Sequence, residues 1–189
     1  MNIISGIARN TALAPMQGDE VRPTAGRARE ALFASLGDLN GAGVLDLCSG
    51  SGALALEAAS RGAAWAVMVE KNPAHLTVIR ENCRRVSAAG CRCTLIPVEA
   101  DILDCPRYLP QLPGTPDVIF ADPPYAVSAE LAAGVLGKEA FTAALRGAKL
   151  IWEVPDTPGA AGDFLRLPGV VQGKFRKFGG TLFLLGVIG

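Results

Sequence analysis

The sequence predicts an α/β fold: a mostly parallel seven-stranded sheet with helices on both faces, closed by an antiparallel C-terminal hairpin and preceded by a small N-terminal extension. Three observations predict it. Short apolar runs alternate with amphipathic stretches between residues 43 and 154, two further apolar runs flank Gly179-Gly180, and the first 22 residues follow neither pattern. Alternating strands and helices build parallel sheets, because each helix carries the chain back across a face before the next strand begins.

Taken in order, residues 1–22 read as extended segments and turns, set apart from a domain over residues 23–189. Thr24 can cap a helix through Leu36, with Arg27, Arg29 and Glu30 on one side and Ala28, Leu32 and Phe33 toward a core. Residues 43–47 form a short apolar strand, and residues 53–61 a helix that Gly62 stops. Residues 66–69 are a second strand. Asn72-Pro73 supplies an N-cap and a first-turn proline for a helix to about Val86. Residues 94–98 and 117–121 give the third and fourth strands. An Ala-rich helical stretch over 128–145, with a break at Gly137, leads to the fifth, Lys149–Val154. Val170–Phe178 and Thr181–Ile188, joined at Gly179-Gly180, predict the antiparallel hairpin.

Composition narrows the function classes. The chain has 189 residues, half of them apolar, and its 18 basic and 18 acidic side chains balance. That length suits a single core, and so apolar a chain is not a disordered one. The apolar run at 181–189 is shorter than the ~20 residues a membrane span needs. The N-terminus lacks the basic start and long apolar stretch of a secretion signal, so a cytoplasmic protein with no membrane contact is expected. Cys48, Cys83, Cys91, Cys93 and Cys105 fit neither a disulfide framework nor a zinc spacing, and His75 alone cannot complete a metal site or a histidine-based nucleophilic mechanism. No metal is expected. The zero net charge hides segregation: residues 71–92 carry five basic groups against one acidic, and residues 164–189 carry four basic and none acidic. Such segments let one face of a neutral protein meet a polyanion. Without a long apolar seam the chain is expected to be a monomer.

The strongest cofactor signal is Asp46-Leu47-Cys48-Ser49-Gly50-Ser51-Gly52, between a strand and a helix. Two glycines let backbone approach a ligand, and the following helix exposes unpaired N–H groups. In a doubly wound sheet this turn lies at the ligand crevice. Glu70 ends the second strand, where a carboxylate can accept both hydroxyls of a ribose. Leu54 and Ala55 interrupt the dinucleotide fingerprint, and Asp46 at the strand end repels a pyrophosphate while attracting an ammonium. S-adenosylmethionine is therefore favoured over NAD. Asp101, past the third strand, suits an acceptor for the adenine amine or, equally, a turn cap.

The second signal is Asp122-Pro123-Pro124-Tyr125, directly after the fourth strand. Two prolines stiffen the backbone and remove donors, so a carbonyl and a carboxylate are held together as an acceptor pair for an amino group. An amine conjugated to a base ring is a poor nucleophile; fixing both of its hydrogens orients the nitrogen toward a methyl donor while Tyr125 stacks on the ring.

Arg22-Pro23-Thr24 with Arg27-x-Arg29-Glu30-x-Leu32-Phe33, the loop within residues 45–57, and Asp122 to Tyr125 together resemble the RsmD family, bacterial guanine-N2 methyltransferases of 16S ribosomal RNA. Ile3-Ile4-Ser5-Gly6 and Lys177-x-Gly179-Gly180-Thr181 look like family segments as well, so the resemblance runs from about residue 3 to 186. It implies a Rossmann-like methyltransferase domain, a small N-terminal β-hairpin extension that contacts RNA, S-adenosylmethionine as donor, and a guanine of an assembling small ribosomal subunit as acceptor. By resemblance, Asp46, Ser49, Gly50, Gly52, Glu70 and Asp101 hold the donor, and Asp122, Pro123 and Tyr125 present the amine. The N-terminal arm is less basic than the family's, with Arg9 followed by Asn10. Arg22, Arg27, Arg29, Arg166, Lys174, Arg176 and Lys177 are left to carry the RNA contacts. Three rival readings remain: an amino-methyltransferase acting on adenine in DNA or RNA or on a protein glutamine, an NAD-dependent oxidoreductase, and a non-enzymatic RNA-binding assembly factor.

Overall fold

The computed structural model describes residues 1–16, 26–157, 159–164 and 167–189. Seven strands among them form one sheet: β1 (Gly43–Leu47), β2 (Trp65–Glu70), β3 (Thr94–Glu99), β4 (Val118–Ala121), β5 (Lys149–Val154), β6 (Val170–Phe178) and β7 (Thr181–Ile188). The order across the sheet is β3-β2-β1-β4-β5-β7-β6. The first five strands pair in parallel, and β7 runs antiparallel between β5 and β6. The chain builds outward from β1 to β3, then returns to place β4 on the other side of β1. That reversal splays the connections apart at the carboxyl ends of β1 and β4 and opens a crevice there.

The helices are α1 (Gly26–Leu36), α2 (Ala53–Ser60), α3 (Pro73–Ala88), α4 (Cys105–Tyr108), α5 (Ser128–Leu136), α6 (Glu139–Ala144) and α7 (Ala160–Phe164). Alternation along the central strands divides the apolar residues into two cores. Val44, Ala66, Met68, Val118 and Phe120 face α1, α2 and α3, through Leu32, Phe33, Leu56, Leu76 and Ile79. Leu45, Leu47, Val67, Val69 and Ile119 face α4 to α7, through Tyr108, Val135, Phe141 and Phe164. Each buried Val, Leu, Ile, Phe or Met among them contributes about 1.5–3 kcal/mol by leaving water.

The expected strands and their order of types match the observed sheet. The Ala-rich stretch divides at Gly137 into α5 and α6; a Cβ there would press on the Ala133 carbonyl. Helices α4 and α7, four and five residues long, carry too little periodicity to be foreseen.

Residues 1–13 lie against the domain. They fold back on themselves through an antiparallel bridge between Asn2 and Ala12, with Ile3 N–H donating to Thr11 O and Asn10 N–H to Ile3 O. Ile3, Ala8 and Leu13 are buried in the same core as α2. The Glu57 carboxylate of α2 accepts the amides of Ile4 and Ser5, while Ser60 accepts those of Ile7 and Ala8.

Arg29, expected to reach RNA, is corrected by its position. It is 2% exposed, and its guanidinium donates to Met1 Sδ and the Asn2 carbonyl, so it binds the N-terminal segment to α1. Burial pulls its pKa down, opposed by the Glu57 carboxylate. Arg22, the Thr24 cap and Arg166 lie outside the described residues.

Candidate functional site: a carboxylate-lined crevice

The loop after β1 is shaped by backbone conformations that side chains seldom adopt. Cys48, Gly50 and Gly52 have φ of 59°, 55° and 77°, so the chain curls on itself before α2. For Cys48 the left-handed conformation costs about 1–2 kcal/mol, which the surrounding contacts must offset. The curl is pinned throughout. Ser49 N–H donates to Val69 O at 3.0 Å, Gly52 N–H to Ser49 O at 2.7 Å, and Ser49 Oγ to Asp46 O at 2.7 Å. Asp46, fully buried, accepts the Ala55 N–H at 3.2 Å in the first turn of α2. Burial holds the Asp46 carboxyl well above the usual carboxylate range; the Ala55 amide opposes this, and nearby Asp122 and Glu70 add to it.

Glu70, at the end of β2, accepts the Gly50 N–H at 2.9 Å on one oxygen and the Asn72 N–H at 2.9 Å on the other. His75 Nδ1 stands 3.6 Å from the second oxygen. Carboxylate oxygens carry more lone pairs than these bonds use, so Glu70 is oriented without being saturated.

Asp122 follows β4, and Pro123-Pro124 carry the chain into the turn that displays Tyr125, 43% exposed. The Tyr125 hydroxyl donates to Glu153 Oε1 at 2.7 Å. Glu153 is braced in turn: Ser128 Oγ reaches its carbonyl at 3.4 Å, and the buried Trp152 indole N–H donates to Ser128 Oγ at 2.9 Å.

These loops enclose a cavity of about 580 Å³. Gly50, Glu70, Lys71 and His75 line one side, with Met16 above Gly50; Asp122, Pro123, Tyr125 and Glu153 line the other. The structure therefore brings Gly50, Glu70, Asp122, Pro123 and Tyr125 together around one cavity. Asp46, Ser49 and Gly52 stand behind the wall and shape the loop. Asp101 lies outside the cavity lining: one of its oxygens caps the turn at Leu103 N, and the other is 3.9 Å from Lys71 Nζ. Arg27, Lys174 and Arg176 are exposed, and Lys177 is exposed but paired with Asp156 at 2.7 Å.

Two members of this site escape motif reading. Glu153 lies next to last in β5, at the same carboxyl end of the sheet as Asp122, a placement legible only once β4 and β5 are neighbours. Asn82 sits among Leu76, Ile79 and Val86 on the buried stripe of α3. It donates to Ser51 O at 3.0 Å, and its Oδ1 accepts Ala14 N–H, so it fixes both the glycine loop and the approach to Met16. A polar residue on an apolar stripe is the signal that could have found it.

Chemically, the crevice gathers Glu70, Asp122 and Glu153 beside buried Asp46, which favours cations and N–H or O–H donors. Cys48 lies in the lining, but burial and the neighbouring Glu70, Asp46 and Asp122 push its thiol far up, so it is not a poised nucleophile. Among the described residues no group of three or more His, Cys, Asp and Glu could hold a metal ion. No described helix is long and apolar enough to cross a membrane.

A family described as conserved hypothetical protein 95 (Cons_hypoth95) matches residues 1–148. The chain is 35% identical over 127 residues to ribosomal RNA small subunit methyltransferase D of Escherichia coli K12, covering 66% of this chain and 60% of that protein. It is 30% identical over 127 residues to the protein of the same name from Haemophilus influenzae, covering 66% and 64%. A shorter match, 41% identical over 83 residues, joins it to the release factor glutamine methyltransferase of Mycolicibacterium smegmatis, covering 43% and 27%. These matches span less than two thirds of the curated relatives' own length. Among solved structures, a hypothetical protein of Thermus thermophilus superposes with a TM-score of 0.72 at 30% identity, covering 100% and 99%. The yhhF methyltransferase chain of Escherichia coli gives 0.75 at 23%, covering 100% and 97%, a likeness of fold.

Proposed function

The chain belongs to the conserved hypothetical protein 95 family, the RsmD family, and from that premise we propose that it methylates the exocyclic N2 amine of a guanine in 16S rRNA, using S-adenosylmethionine. The acceptor is an assembling small ribosomal subunit in the cytoplasm. The observation that carries the proposal is one cavity lined by Gly50 and Glu70 on one side and by Asp122, Pro123 and Tyr125 on the other.

The residues fit such a donor. A Cβ on Gly50 would stand 3.3 Å from Met16 Cε, so a bare glycine lets Met16 close against the loop at the cavity wall. Glu70 retains acceptor capacity for ribose hydroxyls, and Asp46 behind the wall holds the loop to the first turn of α2 through the Ala55 N–H. When bound, S-adenosylmethionine supplies an electrophilic methyl on a sulfonium. The Asp122 carboxylate and the Pro123 carbonyl accept the two amine hydrogens and aim the nitrogen lone pair across the cavity. Tyr125 stacks on the base, which must leave its neighbours to enter. The proton released from the methylated nitrogen passes to Asp122 or to water. Arg27, Lys174, Arg176 and Lys177 serve phosphate contacts on the surface.

The test is transfer of tritium from labelled S-adenosylmethionine to small subunits isolated from cells lacking this protein, followed by mapping of the product. Label in N2-methylguanine supports the proposal. Label in adenine, or in a protein glutamine as the Mycolicibacterium relative's name would have it, replaces it with another amino acceptor. No label in RNA or protein overturns it.

A further inference from the structure

We propose that Glu153 reads the acceptor base, accepting the N1–H of guanine while Asp122 takes the adjacent N2 amine; this rests on the guanine reading above. Three observations support it. Ala121 and Trp152 are the last residues paired between β4 and β5, so the next residues, Asp122 just beyond β4 and Glu153 still within β5, follow on neighbouring parallel strands. Both line the cavity that holds Tyr125. Glu153 is only 6% exposed, and its carboxylate is fixed by the Tyr125 hydroxyl at 2.7 Å rather than left to swing in solvent.

Asp122 and Glu153 thus stem from backbone positions one strand spacing apart, about 4.8 Å, and both bring carboxylate acceptors to the cavity. Guanine alone among the common bases answers such acceptors with adjacent N–H groups, the N1–H and the two hydrogens on N2. Adenine offers its amine beside a lone pair on N1, and that lone pair would face a carboxylate. A base entering the crevice to stack on Tyr125 meets both acids at its Watson–Crick edge, where flipped bases are commonly read. The hydrogen bond from Tyr125 gives Glu153 its orientation, so stacking and edge recognition are set by one pair of side chains. The motif Asp122 to Tyr125 identifies an amine; Glu153 identifies which amine.

The experiment compares methyl transfer to small subunits reconstituted with 16S rRNA carrying guanine or 2-aminopurine at the mapped position. 2-Aminopurine keeps the N2 amine but has a lone pair at N1. The wild type should prefer guanine by about 10²-fold or more, because an acceptor would oppose an acceptor in a buried site. Glu153→Gln keeps an oxygen for the Tyr125 hydroxyl and adds an N–H that can meet the N1 lone pair. It should narrow the preference below about tenfold, while calorimetry shows S-adenosylmethionine affinity unchanged within about threefold. 2-Aminopurine also lacks O6, and the Glu153→Gln arm separates that loss from the effect at N1. A wild type indifferent to the two bases overturns the assignment without any variant. A Glu153→Gln enzyme that slows on both bases with the ratio intact also overturns it, leaving Glu153 as a support for Tyr125 and the methyltransferase reading untouched. Absence of any labelled guanine with the wild type fails the parent reading first, and this one with it.

Discussion

The Gly50 N–H donates to Glu70 Oε2 across 2.9 Å, tying the turn after β1 to the end of β2. One carboxylate thereby does two things: it sets the curl of the loop that must approach a ligand, and it faces the cavity as an acceptor. Glu70→Ala should therefore lower S-adenosylmethionine affinity more than a ribose contact alone would. A hydrogen bond to a charged group is worth about 1.5–3 kcal/mol, so a loss of about 10–100-fold is expected in calorimetry. An unchanged dissociation constant would show that the pocket does not seat the donor's ribose at Glu70.

Asp46 carries a pH dependence with a definite sign. Its folded-state pKa is raised, chiefly by burial, so the native state holds a proton that the unfolded chain has already released. The stability this contributes is complete below the usual carboxylate range and falls as pH rises toward the raised value. Asp46→Asn removes that dependence while its amide oxygen can still accept the Ala55 N–H. The variant should melt higher than the wild type at pH 8, with the gap closing at pH 4. A variant that melts lower by the same margin at both pH values would show that shape, not charge, governs the position.

Asp122→Ala should reduce methyl transfer by about 10²-fold or more through loss of amine orientation, with donor affinity retained. Asp122 also raises the Asp46 pKa through proximity, so its removal should lower that pKa rather than disturb the fold. Activity and donor binding lost together would place Asp122 in the donor subsite.

The parts of the fold legible in the sequence are those written in local chemistry. Alternation assigns Val44 and Leu45 to opposite faces, Asn72 caps α3 through the Ala74 N–H at 2.9 Å, and Gly179-Gly180 turns β6 into β7. The glycine loop is legible for the same reason, since Gly50 and Gly52 carry their conformations within themselves. Long-range partners are different. Glu153 acquires meaning from Tyr125, 28 residues away, and Asn82 from Ala14, 68 residues away, and no spacing rule links either pair. Arg29 stands between the two cases. It lies three and four residues before Leu32 and Phe33, on the buried stripe of α1, and there the spacing rather than the charge decides where the side chain goes.

That placement separates the cations by what their removal should change. Arg29→Ala strips the buried bonds to Met1 and Asn2, and Gly6→Ala forces a left-handed φ of 82° on a Cβ that would land on the Ser60 carbonyl. Each should lower folding stability by about 2 kcal/mol or more, read as a shifted denaturant midpoint, because each undocks the N-terminal segment from α1 or α2. Neither should alter the salt dependence of binding to small-subunit RNA. Paired replacement of exposed Lys174 and Arg176 should do the reverse. It should leave stability within about 0.5 kcal/mol and reduce the slope of log K against log salt by about 0.7–0.9 for each phosphate no longer neutralised. If Arg29→Ala flattened the salt slope while leaving the midpoint in place, its guanidinium would have to leave the protein interior on binding, and the docked N-terminal segment would be an arm that opens onto RNA.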